Sequence, residues 1–163
     1  MEEIWKKIDD YEYEVSTLGN VRRIGSDKVL KPGICTGGYY QVSLYKNGKA
    51  KSKQIHRLVA IAFIPNPENK VCVDHIDNNR TNNHISNLRW CNISENNCNR
   101  AKNCKKNTSG FKGVCFDKQC NKYRARIKLN GKCIHLGYYK SAEEASEAYK
   151  NKAIELHKEF AKY

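Results

Sequence analysis

Two short apolar segments on either side of an asparagine-rich loop constrain the fold of this chain more than any other feature. Residues 71–75 and 87–91 have the length and apolar content of strands. The loop between them, residues 78–86, is rich in side chains that hydrogen-bond their own backbone. A helix capped by Ser94 and running to about Asn103 should follow. The spacing therefore predicts a β–β–α unit that folds back on itself.

The polar groups within this unit suggest a catalytic site with a metal ion and a general base. Asp74 at the end of the first strand and Asn96 in the helix could both supply oxygen ligands to Mg²⁺, which needs only one or two protein oxygens beside water and phosphate. His75 follows Asp74, so strand alternation points it away from the metal, where a base that activates water should stand. Its ordinary pKa of about 6.5 keeps it largely neutral at cellular pH. The alternative is a polar strand end without chemistry.

The segments before this unit favour short strands and one helix. Tyr40, Val42 and Leu44 alternate with polar neighbours, and Asn47-Gly48 is a strong signal for a two-residue hairpin. Residues 57–63 predict a short helix that ends before Pro65 and Pro67.

The last third of the chain predicts three strands followed by one helix. The strands are expected near residues 110–116, 123–129 and 134–139, with a turn at Asn130-Gly131. The helix should begin at Ser141, with Glu144 completing a capping box. Its apolar stripe, predicted to cover one face of the sheet, consists of Ala145, Ala148, Tyr149, Leu156 and Phe160.

The middle strand of this sheet carries an uninterrupted row of cations. Arg124, Arg126 and Lys128 alternate with apolar residues and would share one face about 6.8 Å apart. A solvated charged face is the ordinary alternative. Three cations without an acid repel one another, however, and the binding of an anion relieves this repulsion.

Charge and hydropathy restrict the class of molecule that the chain can bind. The chain of 163 residues has a net charge of +13, and cations exceed acids by six in each of the segments 51–108 and 109–163. Such a surface favours a polyanion, first double-stranded DNA and then an anionic membrane. No apolar run approaches the roughly 20 residues of a membrane span, and the N-terminus lacks the apolar core of a signal peptide. We therefore expect an intracellular, non-secreted protein without a membrane or small-molecule partner.

The eight cysteines are expected to be free thiols, since no export signal is present. No pair has the C-x₂-C spacing of a zinc knuckle. An irregular zinc site built from Cys91, Cys98, Cys104 and a histidine remains an alternative.

Four motifs resemble the HNH homing endonucleases of phages and large viruses over about residues 55–100. They are Ile55-His56-Arg57-Leu58-Val59-Ala60, Val73-Asp74-His75-Ile76-Asp77-Asn78-Asn79, Asn82-Asn83 and Asn87-Leu88-Arg89-Trp90. The opening of the chain looks like the modular DNA-binding motif that often precedes that nuclease core. Its matching segments are Glu3-Ile4-Trp5-Lys6, Tyr13-Glu14-Val15-Ser16 and Leu18-Gly19-Asn20-Val21.

This resemblance implies a ββα-metal fold that nicks or cuts DNA. It implies His75 as general base, Asp74 as a metal ligand and Asn87 as the residue that holds the active-site loop and helps to orient His75. Asn96 would be the second ligand, at the position of the motif's last histidine, with Asn97 as the adjacent alternative. An amide oxygen there favours Mg²⁺ or Mn²⁺ over zinc.

Residues 109–160 resemble the Apetala-type domain of plant ethylene-response factors, which lays a three-stranded sheet in the major groove. The matching segments are Ser109-Gly110-Phe111-Lys112-Gly113-Val114, residues 123–127, Leu136-Gly137-Tyr138-Tyr139 and Ala142-Glu143-Glu144-Ala145 with Ala148-Tyr149. The resemblance implies a DNA-reading face formed by Lys112, Arg124, Arg126, Lys128 and His135. The plant target cannot be transferred, because the plant proteins carry arginines at Cys115 and Asp117 and tryptophan at His135.

The sequence thus predicts a small α+β multi-domain protein. Its parts would be an N-terminal β-rich DNA-binding module (1–50), an HNH nuclease core (51–100), a basic linker (101–108) and an Apetala-type domain (109–163). The predicted function is site-specific DNA cleavage with Mg²⁺ or Mn²⁺, by a monomer that nicks one strand. The main alternative is a non-catalytic DNA-binding regulator that retains a dead nuclease core, and a zinc-stapled structural module is a third.

Overall fold

The structure, a computed structural model, describes residues 2–99, 107, 109–129, 131–161 and 163. The chain divides into two compact units, Met1–Cys91 and Asn92–Tyr163. Short antiparallel sheets and a few helices form both units, which confirms the predicted α+β class. Within the described part of the chain, every helix is too short or too polar to cross a membrane.

The first unit contains two three-stranded sheets, one helix and a two-stranded sheet. In chain order its elements are β1 (Trp5–Lys7), β2 (Tyr13–Ser16), β3 (Val21–Arg23), β4 (Gly33–Ile34), β5 (Tyr40–Lys46), β6 (Lys49–Gln54), α1 (Ile55–Phe63), β7 (Cys72–His75), a 3-10 turn (Ile85–Asn87) and β8 (Leu88–Cys91). The sheets have the orders β1-β2-β3, β4-β5-β6 and β7-β8. The predicted hairpin between β5 and β6 is confirmed, because Asn47 and Gly48 both have the positive φ that such a turn requires.

One hydrophobic core joins all parts of the first unit. Its most deeply buried members come from β2, β3, β5 and α1, and they are Val15, Val21, Leu44 and Val59. Val73 of β7 and Leu88 of β8 belong to the same cluster. Segments on both sides of residue 50 therefore contribute to a single core.

The β7–β8 pair is tied to the end of α1. The helix begins at Ile55, two residues before the predicted start, and its last turn closes with Ile64 N–H donating to the Ala60 carbonyl. The indole Nε1 of half-buried Trp90 donates to the Ile64 carbonyl over 2.9 Å. This bond fixes β8 beside the helix end, in agreement with the anchoring role expected for tryptophan.

The second unit contains the predicted sheet and helix. Its elements are α2 (Ile93–Asn99), β9 (Val114–Asp117), β10 (Lys122–Leu129), β11 (Lys132–Tyr139), α3 (Ala142–His157) and a 3-10 turn (Lys158–Phe160). The sheet order is β11-β10-β9, and β11 carries one extra residue, Leu136, where it passes the Ala125–Arg126 bond of β10. β9 starts later than predicted because Gly110 and Gly113 have positive φ and interrupt the extended backbone.

Helix α3 packs on one face of this sheet. Ala145 packs against Val114 and Ala125, and Tyr149 with Ala153 packs against Ile127. The predicted cap is confirmed, since Ser141 Oγ accepts a hydrogen bond from Glu144 N–H over 3.1 Å. Of the predicted apolar stripe, Ala148 and Leu156 are only half-buried, whereas the unpredicted Ala142 and Ala153 are buried.

The predicted N-cap of α2 was wrong. Asn92, not Ser94, precedes the helix, and its Oδ1 accepts from Glu95 N–H over 2.8 Å while Glu95 Oε2 accepts from Asn92 N–H over 2.7 Å. This reciprocal pair satisfies two backbone N–H groups at the start of α2, whereas Ser94 is already the second residue of the helix. The predicted extension of α2 to Asn103, the linker 101–108 apart from Asn107, and Asn130 of the predicted turn lie outside the described residues.

Candidate active site

Asp74 forms a buried ion pair within the β7–β8 sheet. The antiparallel register places Asp74 directly opposite Arg89, on the same face of the pair. Arg89 donates from Nε over 3.0 Å and from Nη2 over 2.9 Å, both to Asp74 Oδ2. The carboxylate, only 5% exposed, therefore has a fixed orientation.

His75 has a different set of neighbours, as strand alternation requires. Its Nε2 lies 3.2 Å from Oδ1 of Asn83, and both residues are buried. An amide oxygen can only accept a hydrogen bond, so the hydrogen of the neutral imidazole belongs on Nε2. The basic lone pair then lies on Nδ1, which is the nitrogen able to take a proton.

Two further rings surround His75. The centroid of the His56 ring lies 5.0 Å away, and that of the Tyr39 ring lies 5.8 Å away. Arg80 covers Tyr39, with its guanidinium carbon 5.0 Å from the ring centroid, and donates from Nη1 to the Gly37 carbonyl over 2.6 Å. The imidazole thus lies in a partly apolar, ring-lined environment.

Burial governs the protonation of both histidines. It lowers the pKa of His75, and the Asn83 hydrogen bond and the charge of Asp77 only partly offset the effect. Burial, reinforced by His75 and Arg57, lowers the pKa of His56 to about 3. Both rings are therefore neutral at physiological pH, which is the form a general base must have.

The burial of His56 predicts a stability that depends on pH. An unfolded histidine binds a proton below pH about 6.5, whereas folded His56 does so only near pH 3, so the unfolded state binds more protons between these values. The free energy of unfolding should fall by about 2 kcal/mol from pH 7 to pH 5 through this residue. Urea unfolding at both pH values would measure it. A His56→Phe variant should lose most of this difference, and an equal pH dependence in the two proteins would contradict the prediction.

The loop between β7 and β8 is closed by asparagine side chains. Asn87 Oδ1 accepts from the Asp77 N–H over 3.0 Å, and its Nδ2 donates to Asp77 Oδ1 over 2.9 Å and to the Asn82 carbonyl over 2.8 Å. Asn82 Nδ2 donates to Asp77 Oδ2 over 2.7 Å. Asn87 therefore spans the loop at its base, and Asn78 completes the turn with a positive φ of 64°.

The two predicted metal ligands lie in different units. Asp74 belongs to the first, whereas Asn96 lies half-buried in α2 of the second, where its N–H donates to the Asn92 carbonyl over 3.0 Å. Among the residues described, no cluster of three or more His, Cys, Asp or Glu side chains could hold a metal. Asp74 carries a carboxylate and Asn96 a side-chain amide, and oxygen donors of both kinds are ligands that Mg²⁺ accepts.

Two of the four ligands proposed for the alternative zinc site lie close together. Cys98 Sγ lies 3.3 Å from Nδ1 of His157, both in the second unit. Burial raises the pKa of Cys98 and lowers the pKa of His157, which favours a neutral thiol and a neutral imidazole. Cys91 belongs to the first unit and Cys104 lies outside the described residues, so the structure brings together two of the four proposed ligands.

Four of the five predicted DNA contacts share one face of the second unit's sheet. Ala125 and Ile127 are buried beneath α3, so the alternating side chains of Arg124, Arg126 and Lys128 lie on the opposite face of β10. His135 pairs with Arg126 across the strands, and its ring lies 4.9 Å from that of Tyr138. Arg124 is less available, because its guanidinium contacts Asp117 over 3.8 Å and the sulfur of Cys115 over 3.7 Å.

Lys112 differs from the other four. Its Nζ donates to the Cys98 carbonyl over 2.6 Å, and the residue lines a cavity of about 600 Å³ together with Lys128, Tyr149 and His157. Tyr149 packs on the helix-covered face of the sheet. The ammonium of Lys112 therefore stabilises α2 rather than extending the basic row of β10.

Sequence reasoning missed the residues that surround His75 and Asp74. Arg89 could have been found, because pairing the two predicted strands places it opposite Asp74. Asn83 is one of five asparagines between residues 78 and 87, and the motif Asn82-Asn83 does not show which of the two contacts His75. His56 and Tyr39 come from distant segments, so only the fold brings them to the site.

Two family models and several known proteins match parts of this chain. Residues 3–45 match the NUMOD4 motif, and residues 53–98 match the HNH endonuclease family. A DNA endonuclease of Bacillus phage SP01, I-HmuI, is 49% identical over 88 residues, which are 53% of this chain and 51% of that protein. An H-N-H endonuclease of Escherichia phage T5, F-TflII, is 38% identical over 89 residues, which are 53% of this chain and 46% of that protein. The chain spans about half the length of these two curated relatives.

A solved structure gives a match over nearly the whole chain. It describes DNA binding and cleavage by the HNH homing endonuclease I-HmuI, and it aligns with a TM-score of 0.55 at 32% identity. The alignment covers 97% of this chain and 92% of that one. On the strength of this match, the chain belongs to the HNH homing endonuclease family.

Proposed function

We propose that this protein is a site-specific DNA endonuclease that hydrolyses a phosphodiester and nicks one strand as a monomer inside the cell. The observation that carries the proposal is the buried, neutral His75, whose Nε2 is bound to Asn83 and which follows the fixed carboxylate of Asp74 on β7. This is the arrangement of a general base beside a site for a cation. DNA binding and cleavage by a homing endonuclease of this family support the same function here.

In the proposed reaction, His75 acts on water. Nδ1 takes a proton from the water as its oxygen attacks phosphorus. The bond from phosphorus to the 3′ oxygen breaks, the 3′ oxygen leaves with the bonding electron pair and takes a proton from solvent water, and 5′-phosphate and 3′-hydroxyl ends result. Asn87 acts indirectly by holding the loop that returns the chain from β7 to β8. Burial lowers the pKa of His75 and so keeps it neutral before the proton arrives.

Enzymes of this family generally depend on a divalent metal ion. The chemistry of the donors fits Mg²⁺ or Mn²⁺, since Asp74 offers a carboxylate and Asn96 an amide oxygen, and neither offers sulfur. We propose these two residues as the ligands. When bound, the cation would supply positive charge against the phosphate and the leaving 3′ oxygen. Arg89 contributes by keeping the carboxylate of Asp74 oriented.

We further propose that DNA recognition is divided along the chain. The N-terminal module of residues 1–50 and the Apetala-type domain of residues 109–163 would both contact duplex DNA, on either side of the nuclease core (51–100) and basic linker (101–108). The exposed cations of β10 support the second assignment. His135 would join Arg124, Arg126 and Lys128 on that surface, whereas the hydrogen bond of Lys112 within its own unit makes it the weakest of the five contacts.

The proposal is tested by incubating the purified protein with plasmid and with genomic DNA that carries a cognate site. We expect conversion of supercoiled to nicked circles with Mg²⁺ or Mn²⁺, and no conversion with EDTA. Mapping of the ends should give 5′-phosphate and 3′-hydroxyl termini at a preferred sequence. Tight, site-selective binding without cleavage under any of these metals would favour the non-catalytic regulator. Stoichiometric zinc that survives dialysis would favour the structural module.

A further inference from the structure

Asn83 is a buried polar side chain in direct contact with the proposed base. Its Oδ1 lies 3.2 Å from His75 Nε2, and only 5% of the residue is exposed. Its Nδ2 contacts the Thr81 carbonyl over 3.4 Å, which sets the amide so that the oxygen faces the imidazole. Asn87, by contrast, bonds to the loop. The two asparagines therefore have separate tasks.

A tight turn of the N-terminal module, residues 16–20, lies against Asn83. Gly19 has a φ of +85°, and a Cβ added to it would fall 2.7 Å from Asn83 Cβ and 3.1 Å from the Asn83 carbonyl oxygen. The turn is itself fixed, because the fully buried Ser16 accepts from the N–H groups of Leu18 and Asn20 at its Oγ. Thr17 extends the contact, since its carbonyl accepts from Ile85 N–H over 2.9 Å.

We propose that Asn83 is the positioning residue for His75 and that the 16–20 turn is the support that holds Asn83. The inference rests on the proposed function of His75 as the base. It adds that the N-terminal module, whose sequence marks it as a DNA-binding motif, is also part of the catalytic structure. A change in this module that leaves DNA binding intact should still slow cleavage.

The physical reason is that the lone pair on Nδ1 of His75 must point toward the attacking water. With an acceptor at Nε2, the neutral imidazole keeps its hydrogen there and presents Nδ1 to water. Without that acceptor, the ring can adopt the other tautomer or rotate, and a small misplacement of a reacting group is costly in rate. The contact with Thr81 and the close packing against Gly19 both place Asn83, and the absence of a side chain at Gly19 is what allows the close approach.

The first test compares two substitutions of similar volume. Asn83→Leu removes the acceptor, whereas Asn83→Asp retains an oxygen at the same place. We expect Asn83→Leu to lower kcat by about 10- to 100-fold with little change in KM for DNA, and Asn83→Asp to recover most of the loss. The ¹⁵N shifts of the His75 ring, assigned by their disappearance in His75→Gln, should report hydrogen on Nε2 in the native protein and in Asn83→Asp, and mixed tautomers in Asn83→Leu.

The second test uses two glycines with the same backbone conformation. Gly19→Ala and Gly25→Ala both place a side chain at positive φ, but no described residue lies within 4 Å of the added Cβ at Gly25. The strain is thus matched, and only Gly19→Ala pushes on Asn83. We expect kcat to fall about 10-fold in Gly19→Ala and to change less than twofold in Gly25→Ala, with equal DNA affinity in both.

The outcomes separate this inference from the proposed function. A folded Asn83→Leu with native kcat and a native tautomer would overturn it, even if His75→Ala were inactive. Equal kcat in the two glycine variants would overturn the part played by the turn. If His75→Ala itself retained cleavage, the proposed role of His75 as the base would be wrong. The tautomer measurement would still decide whether Asn83 orients the ring. If Gly19→Ala does not fold, the Asn83 pair and the ring shifts decide the outcome.

Discussion

His75→Ala should abolish DNA cleavage while leaving DNA affinity nearly unchanged. The side chain is proposed to act on water rather than on the duplex, and the loss of a general base costs about 10²- to 10⁴-fold in rate. Single-turnover cleavage of a plasmid, together with a gel-shift titration of the same variant, would measure both quantities. The substitution removes a ring from the neighbourhood of His56 and Tyr39, so the fold should be checked by thermal unfolding.

Two comparisons sharpen this experiment. Asp74→Ala should be similarly inactive, and raised Mn²⁺ should restore part of the rate if the set of ligands is weakened rather than destroyed. His84→Ala is the matched control, because His84 lies in the same loop but contacts Ser86 rather than the site. A His75→Ala protein that cleaves within a few-fold of the native rate would remove His75 from the mechanism.

Replacement of Arg124, Arg126 and Lys128 together by glutamine should weaken DNA binding and flatten its dependence on salt. Each phosphate contact that is lost lowers the slope of log K against log [salt] by roughly 0.9, whereas a lost base contact costs about 1–3 kcal/mol of discrimination and leaves the slope unchanged. Titrations of target and random duplexes at several salt concentrations separate these cases. Contact with phosphates alone would lower both affinities equally.

The control for this experiment removes the same charge elsewhere in the unit. Lys140, Lys150 and Lys152 lie on or beside α3, away from the exposed face of β10. Their replacement by glutamine should change affinity much less. Unchanged affinity and an unchanged salt slope in the β10 triple variant would exclude this sheet from the DNA interface.

The elements with strong local signals were predictable from the sequence. Asn47-Gly48 and the Ser141–Glu144 cap each determine their backbone through groups within a few residues, and both were confirmed. The N-cap of α2 shows the limit of such reasoning. Ser94 and Asn92 are both good capping residues, and the choice depends on Glu95, whose carboxylate reaches back to Asn92.

Only the site residues on one strand, β7, and those close to it in sequence could be predicted. Asp74 and His75 follow from the motif and from alternation. Their partners do not, because Tyr39, His56 and the 16–20 turn reach the site through the shared core of the first unit. The same limit explains Lys112, which a one-dimensional pattern groups with the cations of β10 although its ammonium bonds to α2.

The extra residue in β11 shifts the pairing along the basic row of β10, which the sequence alternation alone would not suggest. Arg124 lies opposite Tyr138, but Arg126 lies opposite His135, because Leu136 has no partner between them. Such a bulge bends its strand and increases the local right-handed twist. We therefore expect the row of cations on β10 to follow this local twist. The phosphate backbone of a DNA duplex winds continuously about the helix axis. A twisted row of cations can therefore follow this backbone over a longer distance than a flat row, which would contact the backbone at one place only.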